Sequence, residues 1–134
     1  MSPIVVDASA AVQLALVGLV PAGLERFKCV SPPLMWSEAL SVLVEGAYRG
    51  EIPDGSLNAA LEHLEALPIE VASVAWNHRA RALRLARSLG WAKSYDAEYV
   101  ALAQQLGCPL LTIDARLTRG VAHLIELVGL AELG

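Results

Sequence analysis

Residues 93–117, KSYDAEYVALAQQLGCPLLTIDARL, constrain the fold of this 134-residue chain more than any other stretch. Tyr95, Tyr99, Val100, Ala103 and Leu106 recur at helical spacing, Ser94 or Asp96 supplies an N-cap, and Gly107 and Pro109 stop the helix. Leu110-Leu111-Thr112-Ile113 is too short for a helix and ends β-branched, which predicts a buried strand running straight into Asp114. A helix of ~11 residues rises ~16 Å, and a strand of ~5 residues covers about the same distance. Packed antiparallel, the two bring Asp96 and Asp114 to one edge of a sheet, the carboxyl edge at which open α/β folds bind their ligands.

The remainder of the chain repeats that grammar. Ile4-Val5-Val6 reads as a first buried strand that ends at Asp7, and Ser9 is expected to cap the apolar helix that follows. Lys28-Cys29-Val30 is a weaker strand. Ser31-Pro32-Pro33 opens a helix from about Leu34 to Arg49, with Glu38 in its first or second turn. A helix from Ser56 to near Leu67 and a strand at Ile69–Ala72 come next. Trp76 to Leu89 reads as an amphipathic helix, with Ala82, Leu83, Leu85, Ala86 and Leu89 on one arc and Arg81, Arg84 and Arg87 on the other. After Asp114, a helical turn leads to a last edge strand at Leu124-Ile125. Strands alternating with helices predict a parallel sheet of about four to five short strands with helices on both faces, built as one domain over residues 1–134.

Bulk properties exclude several classes. With 14 acids against 10 bases the net charge is −4, which argues against nonspecific nucleic-acid binding driven by charge alone. Cys29 and Cys108 are too few for a disulfide framework, and His63, His78 and His123 are too scattered for a zinc site. The N-terminus lacks the basic region of a signal peptide, and the longest apolar stretch, Leu14 to Leu24, contains Pro21 and falls short of the ~20 residues that span a bilayer. A soluble, cytoplasmic protein is expected. At 55% hydrophobic residues, some apolar surface is expected to be covered by a second chain, as the apolar residues between Leu34 and Val44 take up more than one helix face.

Asp7 and Asp114 directly follow buried strands, while Glu38 and Asp96 lie near helix N-termini, so an α/β sandwich converges all four on one edge. Two unit charges ~4 Å apart repel by about 4 kcal/mol at an effective dielectric near 20. Four together call for a counter-ion, and all-oxygen ligands suit Mg²⁺ or Mn²⁺. Taken singly, each acid is equally at home as a cap or turn residue, and Glu98 reads as a solvated helix residue. The arginine stripe, with Lys93 just before Asp96, would steer a phosphate chain towards the pocket, or be an ordinary solvated helix face.

Three segments carry a resemblance: IVVDASA, SPPLMWSEAL and SYDAEYVALAQQLGCPLLTIDARL. Together they resemble a PIN domain, and within it the VapC-type toxin ribonucleases. The resemblance implies a PIN-like three-layer sandwich, with Asp7, Glu38, Asp96 and Asp114 as the metal-binding acids and the hydroxyls of Ser9 and Thr112 beside them. It further implies a Mg²⁺-dependent endoribonuclease, a homodimer, and a small antitoxin partner. Rival readings are a PIN-like module that binds without cutting, or another metal-dependent phosphoryl-transfer enzyme. A haloacid-dehalogenase-type phosphatase would want D-x-D after the first strand, whereas Asp7 is followed by Ala8-Ser9.

Overall fold

In the computed structural model, which describes all 134 residues, five parallel strands form one sheet in the order β3-β2-β1-β4-β5. The strands are β1 (Ser2–Val6), β2 (Phe27–Ser31), β3 (Ile69–Val71), β4 (Leu110–Leu111) and β5 (Leu127–Val128). The helices are α1 (Ala8–Val17), α2 (Leu34–Tyr48), α3 (Asp54–Ala66), α4 (His78–Ser88), α5 (Tyr95–Leu106) and α6 (Ala115–Val121). The chain steps outward from β1 through β2 to β3, then returns through α4 and α5 to lay β4 on the other side of β1. Strand order therefore reverses between β1 and β4, and a crevice at the carboxyl ends of those two strands follows from the topology.

Burial explains why β1 is central. Ile4, Val5 and Val6 are fully buried, pairing with Cys29 and Val30 on one side and with Leu110 and Leu111 on the other. Such a continuous apolar run is what a parallel strand covered on both faces requires. The helices pack as two groups. α1, α2 and α3 pack on one another, while α4 packs on α5, which in turn lies against β1 and β4. α5 supplies Ala97, Tyr99, Val100, Leu102 and Ala103 to the interior and ends at Gly107, whose φ of +61° is the left-handed conformation that closes many helices.

The structure revises several sequence expectations. The last strand is Leu127–Val128 and not Leu124-Ile125, because Leu110 and Thr112 donate their amides to the carbonyls of Glu126 and Val128. Leu124-Ile125 and Leu127-Val128 are two equivalent apolar pairs on either side of Glu126, and nothing local decides which of them pairs with β4. The regular part of β4 is confined to Leu110–Leu111, and α4 begins at His78 instead of Trp76. Leu83 is 61% exposed and so lies outside the buried face of α4, which consists of His78, Ala82 and Ala86 flanked by Leu85 and Leu89. No helix is long and apolar enough to cross a membrane.

The C-terminus is locked to the segment between α1 and β2. A 3₁₀ turn at Leu130–Leu133 packs on another at Ala22–Arg26, and a Cβ added at Gly23 would stand 2.3 Å from the Leu133 carbonyl oxygen. Gly23→Ala should therefore lower stability by about 1–3 kcal/mol, the usual range for overpacking. Gly55→Ala, in the first turn of α3 with open space around it, should instead raise stability by up to about 1 kcal/mol. Urea denaturation midpoints of the two variants check both signs.

Candidate active site

β1 delivers Asp7 to the carboxyl edge in extended conformation (φ −85°, ψ 169°), where the residue caps α1. Its Oδ1 accepts from the Ala10 amide at 2.9 Å and from the Ser9 hydroxyl at 2.7 Å. Ser9 is thus the partner of the cap and not the cap itself. Both residue types cap well, and because Asp7 takes the cap position the helix starts at Ala8, earlier than expected. The Ser9 hydroxyl lies 3.3 Å from Thr112 Oγ1 and accepts from the Ile113 amide at 3.2 Å, while Thr112 Oγ1 accepts from the Asp114 amide at 3.1 Å. Asp114 then repeats the device at α6, its Oδ1 accepting from the amides of Arg116 and Leu117 at 2.9 and 3.1 Å. At Asp114 the cap occupies one carboxylate oxygen and leaves the other outside it.

Glu38 and Asp96 come from the two helix groups. Glu38, on α2, accepts a 2.6 Å hydrogen bond from the Tyr99 hydroxyl on α5. Tyr99 is almost wholly buried, and burial together with Glu38 holds its phenol far above the ordinary range, so it remains a donor. Asp96 occupies the first turn of α5, where the helix dipole favours a negative charge. Ser94 stands at the N-cap position, yet its side chain makes no capping bond.

All four acids line a single cavity of about 910 Å³ that runs between α1 and α2. Burial pushes the Asp7 carboxyl up, hydrogen bonds from Thr112, Ala10 and Ser9 pull it back, and Asp96 adds repulsion. Glu38 is raised by burial, with the Tyr99 hydroxyl opposing and Asp96 and Asp7 reinforcing. Asp96 is raised by burial and by Asp114, and lowered by Arg116. The acids sense one another, although no three acidic, histidine or cysteine side chains stand, as placed, where they could jointly hold a metal ion. The donor set is nevertheless all oxygen, partly desolvated and mutually repelling, which is the chemistry a hard divalent cation answers.

The basic residues distribute differently from the sequence reading. Lys93 lines the cavity, but Arg81, Arg84 and Arg87 are exposed on α4 and line neither it nor a second cavity of about 600 Å³ beside it. Arg49, which no pattern singled out, lines the first cavity instead, and Arg116, within the TIDARL part of the segment that carries the resemblance, lines the second one. Tyr99 was also missed as a site residue; the available signal was a tyrosine on a buried helix face, whose hydroxyl must find a partner. Glu98 is only partly exposed and lies 3.7 Å from buried His78, so it is not the solvated residue expected.

A model of the PIN domain matches residues 4–122. The chain belongs to the PIN domain family. Among curated relatives of this PIN domain is ribonuclease VapC12 of Mycobacterium tuberculosis, 32% identical over 131 residues and aligned over 92% of this chain and 96% of the relative. Ribonuclease VapC3 of the same organism is 35% identical over 127 residues, covering 87% and 85%. Among solved structures, PAE2754 from Pyrobaculum aerophilum superposes with a TM-score of 0.76 at 27% identity, over 98% of this chain and 93% of that one. A toxin–antitoxin complex from Klebsiella pneumoniae shares the fold, with a TM-score of 0.54 at 18% identity over 93% and 95% of the two chains.

Two stability measurements test this electrostatic description. Because the folded-state pKa of Asp96 is raised, its favourable contribution is complete below its ordinary value of 3.8 and is lost as the pH rises through the folded value. Asp96→Asn should therefore raise the melting temperature by a few degrees at pH 7 in EDTA, with the gain shrinking as the pH falls towards 3.8. Tyr99→Phe should lower stability by about 1.5–3 kcal/mol, the range for a hydrogen bond to a charged group, and move the Glu38 titration further upward in NMR.

Proposed function

We propose that this PIN domain is a divalent-metal-dependent endoribonuclease, using Mg²⁺ or Mn²⁺, and the toxin of a type II toxin–antitoxin pair. The observation that carries the reading is the shared cavity of Asp7, Glu38, Asp96 and Asp114 in a chain 32–35% identical to VapC ribonucleases. Those four residues would hold the ion. A divalent ion bound there supplies charge neutralisation and an acidified water for phosphodiester hydrolysis. The chain's own residues do the positioning: Ser9 and Thr112 orient Asp7, Tyr99 fixes Glu38, and Lys93 brings a positive charge to the mouth for the phosphate backbone. Attack by water leaves a 5′-phosphate and a 3′-hydroxyl, with the neighbouring 2′-hydroxyl taking no part.

The antitoxin partner follows from the VapC likeness. A homodimer accords with Leu40, Val44 and Tyr48, which repeat at helical spacing on α2 and remain exposed, Tyr48 to 92%. Cytoplasmic residence accords with two free cysteines and with the absence of a membrane-length apolar helix.

The test is cleavage of single-stranded RNA with Mg²⁺ or Mn²⁺ and its loss in EDTA. Asp7→Asn and Asp96→Asn should each lower kcat by about 100-fold or more, the scale of removing one group from a preorganised electrostatic site, with unchanged circular dichroism. A protein that bound RNA and never cut it would be a non-cleaving PIN module instead.

A further inference from the structure

The acids occupy only part of a larger hollow. A second cavity of about 600 Å³ adjoins the first, and Glu38, Lys93, Tyr95, Asp96 and Asp114 line both. Glu38, Asp96 and Asp114 therefore form a wall shared by two chambers, while Asp7 lines the first alone. Beyond that wall the second chamber adds Trp91 and Arg116 and no further acid. Its size falls within the ~300–1,000 Å³ of small-ligand sites.

We propose that this second chamber is a nucleotide subsite, which seats the nucleotide next to the scissile phosphate, with its phosphate on Arg116 and Lys93 and its base stacked on Tyr95. The proposal rests on the nuclease reading and specifies where the strand continues past the cut. Three observations support it. Arg116 and Lys93 are exposed and take part in no direct ion pair, Arg116 acting on Asp96 only from a distance, so both side chains are free to meet a phosphate in a protein whose net charge is −4. Tyr95 is 50% exposed at the start of α5, one residue before Asp96, with no hydrogen bond to its hydroxyl. Its ring thus has an open surface beside the acids, whereas Trp91 is spent packing against both apolar clusters. Aromatic stacking with unpaired cations alongside is the usual means of holding single-stranded nucleic acid. Chambers on both sides of the acids also suit a strand that extends in both directions from the cleaved bond.

The experiment uses the full chain and a fluorescein-labelled eight-nucleotide single-stranded RNA whose cleaved bond has been mapped with Mg²⁺. Binding is read by anisotropy in EDTA. Tyr95→Leu should weaken binding about 10-fold, within the range for losing one stacked base, and Tyr95→Phe should restore it. Replacing the base beside the cleaved bond with an abasic residue should weaken wild-type binding equally and leave Tyr95→Leu unaffected. Arg116→Gln should flatten the slope of log K against log salt by about 0.7, the single-strand value for one phosphate contact. Wild-type cleavage with unchanged binding by Tyr95→Leu and Arg116→Gln would overturn the subsite and leave the nuclease reading standing. A wild-type chain that neither binds nor cuts the oligonucleotide would overturn both.

Discussion

The hydrogen-bonded seam across the carboxyl ends of β1 and β4 is what allows like charges to share one cavity. Ser9 and Thr112 face each other across it, and their hydroxyls engage the Asp7 carboxylate and the amides of Ile113 and Asp114. Partly desolvated carboxylates that repel one another would otherwise drive their backbone supports apart. The seam lies where strand order reverses, so the same topology that opens the crevice also places two strand ends side by side to be tied. The Glu38–Tyr99 bond makes the corresponding tie between the two helix groups.

Chemistry and stability consequently pull in opposite directions at this edge. Burial raises the proton affinity of Asp7, Glu38 and Asp96, so the protein holds its charged acids at some expense to the fold. Most of the opposing stabilisation comes from elsewhere. Ile4 to Val6 of the central strand are inaccessible to solvent, α5 buries half of its residues, and the C-terminal turn seals against Gly23. A rigid scaffold beneath a strained site is the arrangement expected when function conflicts with packing.

Local pattern made much of this architecture legible in the sequence. The β-branched run Ile4-Val5-Val6 announced β1, prolines marked the start of α2, and Gly107 marked the end of α5, because each signal lies within a few residues of its effect. Features that depend on distant partners were not legible. Tyr99 and Glu38 are 61 positions apart, and nothing in either segment specifies the other. β5 was misplaced because its register is set by hydrogen bonds to β4. The arginine stripe on α4 drew attention through its periodicity, yet the cations lining the cavities, Lys93, Arg49 and Arg116, lie on separate elements and form no pattern along the chain. Weighing Asp7 and Asp114 as either caps or site acids also posed a false alternative, since a carboxylate has two oxygens.

That double duty has an evolutionary corollary. An asparagine caps a helix about as well as an aspartate, so exchanging oxygen for an amide nitrogen at Asp7 or Asp114 silences the charge while sparing the scaffold. Alanine forfeits both. A folded copy with part of its pocket charge removed therefore lies one conservative substitution away, on a mutational route that does not pass through misfolding.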